Sequence, residues 1–306
     1  MRSDSLYGRI TGHISVFLML VVAVGCSLSS SGGPRPGPQP FPSGTVPQFG
    51  HVVVVVEENH SYSEVIGNSA MPYLNSLASQ YGVATQYFAN THPSIGNYFM
   101  LTTGQLVTND DTFAGTVSVD NIVRELITAG KTWKSYAESI PSTGYPGGDS
   151  YPYARRHNPF AYFTDVVNSG IQVNNLVSLS QFNSDLANNQ LPNFSYLVPN
   201  LLDDAHDGPL QLADAWLQQN IAPLISSPTF QTDGLLIIVF DEANTNDSAN
   251  GGGHVAEFVI SPKAKKGFQS TRLYQHQSTL RLILGGLGTS TFPAAASTAP
   301  EMGEFF

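Results

Sequence analysis

The chain has 306 residues, a formal net charge of −10 at pH 7, and only 12% charged residues. The acidic balance excludes a general nucleic-acid binder, which needs a basic surface, while the length is sufficient for one large hydrophobic core. Cys26 is the single cysteine. An intrachain disulfide and a cysteine-rich zinc site are therefore both excluded.

Residues 1–25 have the pattern of a secretory signal. Arg2 and Arg9 precede the apolar run ISVFLMLVVAV, which is followed by small residues. The run is shorter than the roughly 20 residues that a membrane span needs. The ending AVGCS resembles a bacterial lipoprotein signal, which implies cleavage before Cys26 and a lipid on its thiol; an ordinary cleaved signal is the alternative. We expect export, as an outer membrane lipoprotein in the periplasm or at the cell surface, or as a secreted protein.

A Ser/Gly/Pro-rich segment, residues 26–48, follows the signal and predicts an extended, semi-flexible tether. The folded domain is then expected to occupy residues 49–306. Membrane attachment would occur through the lipid on Cys26.

Strand and helix patterns alternate along the domain. The predicted strands, in chain order, are HVVVVV, VATQYFA, TWKSYAES, FSYLVP, GLLIIVF and HVAEFVISP. The predicted helices are MPYLNSLASQYG, an apolar stretch after Ser94, NIVRELITAGK, LQLADAWLQQNIAPLIS and HQSTLRLILGGLG. This alternation predicts an α/β fold, a three-layer α/β/α sandwich with a mainly parallel central sheet. Residues 140–163 form a long Gly/Pro/Tyr-rich loop of the kind that is usually functional.

Polar clusters follow several of these strands. Glu58 and Asn59 come after the first strand, and the segment NTHPSIGNYF, which contains Ser94, comes after the second. Two further acidic clusters are Asp203 to Asp207 and the pair Asp241 and Glu242. Because ligands of parallel α/β sheets bind beyond the carboxyl ends of the strands, we expect the four clusters to converge.

These clusters offer carboxylate and amide oxygens together with His206 and His254. Such a set suits a divalent metal ion and disfavours soft-metal sites. Several carboxylates at one edge would raise one another's pKa unless a cation neutralised them. A bound metal ion would lower the pKa of the Ser94 hydroxyl and polarise a phosphoryl oxygen.

Each residue also has a purely structural interpretation. Ser94 precedes a helical pattern and could simply cap that helix. Asp203, Asp204 and Asp207 could serve the N-terminus of the helix that follows them. His254 stands beside three glycines, where a loop residue is more common than a metal ligand.

Six segments, in order, resemble the bacterial phosphoesterase family of acid phosphatases and phosphatidylcholine-type phospholipases C. They are HVVVVVEENHSYSEVIGN, NTHPSIGNYFMLTTG, YARRHNPFAYF, YLVPNLLDDAHDG, LLIIVFDE, and HVAEFVISPKAKKG with YQHQSTLR. The resemblance spans Phe49 to Leu287 and implies the fold of the alkaline-phosphatase-like superfamily.

The resemblance also implies roles for individual residues. Ser94 falls at the nucleophile position, Asn97 matches an asparagine that holds a phosphate oxygen, and His157 and His276 match positions facing the pocket as phosphate contact or proton donor. The remaining matches are metal ligands, a set that also includes the nucleophile: Glu58, Asn59, Ser94, Asp204, His206, Asp241, Glu242 and His254.

The expected function is hydrolysis of phosphate esters by a Ser nucleophile with one or two divalent metal ions. The acid-phosphatase-like phosphomonoesterase is the first interpretation, because the chain is shorter than the large phospholipases C. A phospholipase C-type phosphodiesterase acting on phospholipid headgroups is the alternative, and a non-catalytic surface-binding lipoprotein is an alternative of another class. The absence of a sulfatase motif around Ser94 argues against a sulfatase, and Gly96 stands where relatives often carry proline.

Overall fold

The computed structural model describes residues 44–306. The predicted signal, Cys26 and the tether up to residue 43 lie outside the described residues and stay predictions. The last tether residues contact the domain, since Gln48 Nε2 donates a hydrogen bond to the Gly285 carbonyl at 3.1 Å. The backbone N–H of Phe49 donates a hydrogen bond to the Gly286 carbonyl at 2.8 Å. The chain is therefore hydrogen-bonded to helix-end residues of the domain at the point where the domain was expected to begin.

The strands of the described region form one sheet in the order β4-β3-β5-β1-β6-β7-β2-β8, with β9 pairing with β2. Their bounds are β1 His51–Glu57, β2 Gly82–Phe88, β3 Trp133–Ala137, β4 Leu176–Ser178, β5 Phe194–Val198, β6 Gly234–Phe240, β7 His254–Ile260, β8 Gln269–Ser270 and β9 Tyr274–Gln275. All six predicted strands are present at the expected places in the chain.

Strand β1 lies between β5 and β6 and is parallel to both, with Val54 opposite Tyr196 and Ile237. Val52 to Val55 are fully buried, as a β-branched run covered on both faces requires. The exception to the parallel arrangement is β7, which is antiparallel to its neighbours β6 and β2. The prediction of a mainly parallel sheet is therefore confirmed.

The α-helices flank this sheet. Their bounds are α1 Tyr62–Val65, α2 Pro72–Gln80, α3 Ser94–Thr103, α4 Ile122–Thr128, α5 Thr164–Val167, α6 Leu179–Ala187, α7 Leu210–Ser226, α8 Pro228–Asp233 and α9 His276–Gly286. Helix α9 packs against α3 and α4, and α2 packs against α7. Within residues 44–306 no helix combines the length and apolar character that crossing a membrane requires.

Candidate active site

Ser94 is the first residue of α3, after Pro93 at the N-cap position. Its side chain does not cap the helix; the hydroxyl Oγ instead donates a hydrogen bond to Glu58 Oε2 at 3.0 Å. Ser94 is 3% exposed and Glu58 is fully buried. The local structure therefore places a hydroxyl at the positive end of a helix dipole and in contact with a carboxylate.

Glu58 has partners on its other oxygen as well. The Tyr98 hydroxyl donates a short hydrogen bond to Oε1, and His157 Nε2 lies 3.2 Å from the same atom. The Tyr98 and His157 rings stack with centroids 5.1 Å apart. Tyr98, one helical turn after Ser94, thus fixes both Glu58 and His157 from the α3 side.

His157 connects Glu58 to the loop after β5. Its Nδ1 lies 3.0 Å from Asp204 Oδ2, and its ring centroid is 5.7 Å from that of His206. Ligand atoms of Glu58, His157 and His206 all lie within 4.8 Å of one another, a spacing that one metal ion can bridge. Arg156 reaches the same group, with Nη2 3.4 Å from His206 Nε2 and Nη1 bonded to Asp149.

Asp241 and Glu242 follow β6 beside Glu58. The backbone N–H of Asn59 donates to Asp241 Oδ1 at 3.1 Å, which Asn59 achieves with a left-handed φ of 58°. Asparagine tolerates this conformation better than most residues. His92 Nδ1 lies 3.1 Å from Glu242 Oε2. The first-strand and sixth-strand clusters are thus in direct contact.

Several buried carboxyl groups of the site have raised pKa values. Burial raises the pKa of Asp204 and of Asp241 to about 7, and burial with the neighbouring Asp241 raises the pKa of Glu242 to about 9. Burial, then repulsion by Asp241 and Asp204, holds the pKa of Glu58 well above its usual range. Burial holds the pKa of His157 well below its usual range.

These observations fit a divalent metal ion. The ion pairs described for Glu58, Asp204 and Glu242 are with histidines, and Asp241 Oδ2 is buried without a hydrogen-bond partner in the part of the chain that the structure describes. Carboxylates converging in this way are stable together when a cation neutralises them. Oxygen ligands with adjacent imidazoles match the donor set of Mg²⁺, Mn²⁺ or Zn²⁺ sites.

Asn97 lies in the site, and most of its amide is engaged by the chain. Its Oδ1 accepts from the backbone N–H groups of Asn90 and Thr91 at 3.0 and 3.2 Å, and Nδ2 donates to the Thr91 carbonyl at 2.8 Å. Nδ2 also lies 3.4 Å from Glu242 Oε2. Asn97 therefore clamps the turn before Ser94 and directs one N–H toward the acidic cluster; its phosphate contact stays a prediction.

Two predicted residues lie apart from this cluster. The His254 ring stacks between Tyr62 and Phe88, and its Nε2 is 3.0 Å from the Thr85 carbonyl. His276 is fully buried, with Nε2 2.6 Å from the Asp241 backbone carbonyl. Their described contacts are not with the carboxylates of the cluster, so the metal-ligand role of His254 and the pocket-facing role of His276 have no support from these contacts.

Tyr98, His92 and Arg156 were not predicted as site residues. His92 and Tyr98 flank Ser94 in the same segment, and Arg156 precedes His157. Their sequence signal is only this proximity, because tyrosine and arginine near a motif usually pack or face solvent. The contacts with Glu58, Glu242 and His206 arise only when three separate segments meet.

Comparison with known proteins agrees with this geometry. Residues 68–285 match the Phosphoesterase family, well over half of the chain. A phosphatidylinositol-3-phosphatase of Mycobacterium tuberculosis is 34% identical over 244 residues, covering 78% of each chain. A probable acid phosphatase of Kluyveromyces lactis is 32% identical over 244 residues, covering 77% of this chain but 57% of the yeast protein, so the match spans little more than half of that relative.

Solved structures share the fold. A Vibrio parahaemolyticus protein of the alkaline phosphatase superfamily has a TM-score of 0.57 at 13% identity, covering 83% of this chain and 70% of that one. The lipoteichoic acid synthase LtaP of Listeria monocytogenes also has a TM-score of 0.57 at 13% identity, covering 82% and 77%. At such identities the likeness shows the fold alone, which confirms the predicted alkaline-phosphatase-like architecture. The chain belongs to the phosphoesterase family.

Proposed function

We propose that the chain is a metal-dependent phosphomonoesterase of the acid phosphatase type, with Ser94 as its nucleophile. The observation that carries this proposal is the hydrogen bond from Ser94 Oγ to the buried Glu58 carboxylate at the first turn of α3, 3.0 Å long. Family membership supports phosphate-ester hydrolysis in general terms. The metal dependence and the serine nucleophile rest on the site's own geometry.

The metal ion would be held by the acidic groups around Ser94. The proposed ligands are Glu58, Asn59, Ser94, Asp241 and Glu242, with Asp204, His157 and His206 as the neighbouring set. When bound, a divalent ion supplies Lewis acidity and lowers the pKa of a coordinated hydroxyl.

The chain's own residues would then act in sequence. Glu58 accepts the Ser94 hydroxyl proton, and Oγ forms a bond to phosphorus as the bond to the ester oxygen breaks. Asn97 Nδ2 would donate its second hydrogen to a phosphate oxygen in place of its 3.4 Å contact with Glu242 Oε2. His206, 28% exposed beside the buried His157, would protonate the departing oxygen, and water would then cleave the phosphoserine.

Some backbone donors of the α3 turn are already engaged. Asp111 Oδ1 accepts from the Ile95 N–H at 3.1 Å, so this donor is not free for an anion. The proposed phosphate contacts are therefore the Asn97 amide and the neighbouring side chains rather than the whole helix terminus.

The exposed surface of the long loop supports a monoester over a phospholipid diester. Among residues 140–163, Tyr151 is the large hydrophobic side chain that is clearly exposed, at 66%. A lipid-binding rim would need a larger contiguous apolar patch. The name of the mycobacterial relative nevertheless makes a phosphorylated inositol lipid a substrate to include in any test.

Replacing Ser94 with alanine tests the nucleophile. We expect kcat for p-nitrophenyl phosphate to fall by at least about a thousandfold, since the attacking oxygen is lost and other groups supply only the residual catalysis. Ser261→Ala is the matched control, because Ser261 is also buried and its hydroxyl binds the Gly234 carbonyl away from the site. Activity of the Ser94 variant close to that of the control, with the fold intact by circular dichroism, would refute the assignment.

A substrate panel separates the alternatives for the same protein. The panel contains p-nitrophenyl phosphate, its bis-ester, phosphatidylinositol 3-phosphate and phosphatidylcholine, each measured before and after metal chelation. Hydrolysis of the monoesters that disappears on chelation is expected. Preference for the bis-ester and phosphatidylcholine would favour the phospholipase C interpretation. Activity that chelation leaves unchanged would contradict metal dependence.

A further inference from the structure

A chain of buried hydrogen-bonding side chains runs behind the site, from β7 to the Asp241 backbone. Glu257 Oε1 and Thr279 Oγ1 are 2.7 Å apart, and Thr279 Oγ1 lies 2.6 Å from the Tyr87 hydroxyl. The Tyr87 hydroxyl lies 3.0 Å from His276 Nδ1, and His276 Nε2 lies 2.6 Å from the Asp241 carbonyl. The four side chains are fully buried.

Counting the available protons assigns the donor and the acceptor in each of these hydrogen bonds. A carbonyl only accepts, so His276 Nε2 must donate to Asp241. In a neutral imidazole Nδ1 then accepts, and the proton between it and Tyr87 belongs to the tyrosine hydroxyl. Tyr87 must in turn accept from Thr279, because two hydroxyls in contact need one donor. Thr279 has then used its only proton and must accept from Glu257, whose carboxyl is therefore protonated.

The reverse direction needs two buried charges. It places an imidazolium at His276 and a carboxylate at Glu257, both fully buried and separated by two neutral hydroxyls. Among residues 44–306, Glu257 Oε2 has no hydrogen-bond partner, which is costly for a carboxylate. Burial raises the pKa of Glu257 to about 8, which favours a protonated carboxyl at pH 7.

The far end of the chain holds a peptide of the site. The Asp241 N–H donates to the Glu57 carbonyl at 2.9 Å, and the Asp241 carbonyl accepts from His276, so both sides of this residue are fixed. Its carboxylate then meets the Asn59 N–H. An orientation error at Asp241 would shift the carboxylate that lies beside Ser94 and Glu58.

We propose that Glu257, Thr279 and Tyr87 are positioning residues: they form a one-way hydrogen-bond chain that fixes His276 as its Nε2–H tautomer and thereby holds Asp241. The effect on turnover rests on the proposed function, in which Asp241 belongs to the catalytic site. The tautomer itself does not, because it is a property of the folded chain. Side chains that hydrogen-bond to a metal ligand in this way orient it without touching substrate.

The tautomer is tested directly on the wild-type protein. Two-bond proton–nitrogen correlation spectra of the ¹⁵N-histidine-labelled protein at pH 7 report which ring nitrogens carry hydrogen, and His276→Gln identifies the signal. We expect Nε2 protonated and Nδ1 unprotonated. A His276 ring protonated on both nitrogens, or on Nδ1 alone, would overturn the proposal, whether or not any variant folds.

Variants test the positioning role. Tyr87→Phe should lower kcat by about 10- to 100-fold, as loss of an outer-shell partner typically does, and should shift the Nδ1 signal. Tyr136→Phe is the matched control, because this buried tyrosine donates instead to Asp185 Oδ2 at 2.7 Å. Equal kcat in the two variants would contradict the proposal.

Two variants at Glu257 provide a second, independent test. Glu257→Gln keeps an N–H donor toward Thr279 and should retain most of the activity, whereas Glu257→Leu removes the donor and should reproduce the Tyr87→Phe loss. A leucine variant as active as the glutamine variant would exclude Glu257 from the chain. If Ser94→Ala proved active, the proposed function would fail while the spectra still decided the tautomer.

Discussion

Gly96 shows at the residue scale how tightly the turn around Ser94 is built. A Cβ at this position would meet Asn109 Oδ1 and would lie 2.6 Å from Thr91 Cγ2. Asn109 is itself held by a hydrogen bond to Thr91 Oγ1 at 2.9 Å, so it cannot simply move away. The glycine therefore lets Thr91 and Asn109 close over α3, which the sequence alone did not explain.

The first prediction is that Gly96→Ala destabilises the protein by about 1–3 kcal/mol, because overpacking exceeds the gain that alanine normally brings to a helix. Gly148→Ala is the matched control, since no atom of residues 44–306 lies within 4 Å of a Cβ there. Urea unfolding of both variants measures the difference. A Gly96→Ala protein as stable as the wild type would show that the turn is loosely packed.

Some site residues could be predicted from the sequence pattern, and others are recognised only from their contacts in the structure. Ser94, Glu58 and Asp241 could be predicted because each follows a strand in an α/β pattern, and the structure brings them together. Tyr98 could not, because nothing in an apolar helix stretch distinguishes a hydroxyl that will meet a carboxylate from one that will meet solvent.

At the scale of elements, helix α2 is capped by a residue of another helix. Its N-cap position is Met71, which offers no side-chain acceptor. Asp214 of α7 accepts instead from the N–H groups of Tyr73 and Leu74, at 3.0 and 2.8 Å. A long-range carboxylate thus satisfies two first-turn donors and joins the two helices on this side of the sheet.

We expect Asp214→Ala to lower the free energy of unfolding by about 1–2 kcal/mol, the cost of losing a helix cap and leaving buried donors unpaired. Turnover at saturating substrate should be unchanged, since the described hydrogen bonds of Asp214 are with the first turn of α2 and not with Ser94 or Glu58. Asp120→Ala serves for comparison, because Asp120 is 40% exposed and forms a surface pair with Arg124. Equal unfolding midpoints for the two variants would argue against the cross-helix cap.

Periodicity predicted the long elements better than the short ones. The β1 run and the α9 pattern gave confirmed elements, since each is long and strongly apolar on the expected face. The three-residue β4 and the helix α6 were not predicted, because a short strand running straight into a helix has no turn residue to mark it.

At the scale of the whole molecule, the buried acids make stability depend on pH. In the metal-free protein the folded pKa values of Asp241, Glu257 and Glu242 are about 7, 8 and 9, above those of the unfolded chain. The folded state therefore binds more protons than the unfolded state between pH 4 and 9, and its stability falls as pH rises. The buried His157 and His276 act oppositely, but only below an unfolded pKa of about 6.5.

We accordingly expect the melting temperature of the chelated protein to fall steadily from pH 6.5 to 9. A saturating divalent metal ion should remove most of that fall, because it neutralises the same carboxylates. Glu242→Gln should flatten the upper part of the curve. A melting temperature that rose with pH over this window in the chelated protein would contradict the assignment of raised pKa values.

The sequence by itself determined the α/β class, the mainly parallel sheet and the strand ends from which the acidic site is built, since periodicity and motif order are local properties. Only the tertiary structure decided which groups touch: that Ser94 binds Glu58 rather than capping α3, that His254 stacks between aromatic rings, and that His276 lies behind Asp241. These outcomes depend on groups that are far apart in the chain: 36 residues for Ser94 and Glu58, 169 for His254 and Thr85, and 35 for His276 and Asp241. Their hydrogen bonds form only where the packed sheet and helices bring those residues within 3 Å, and no local pattern records that distance.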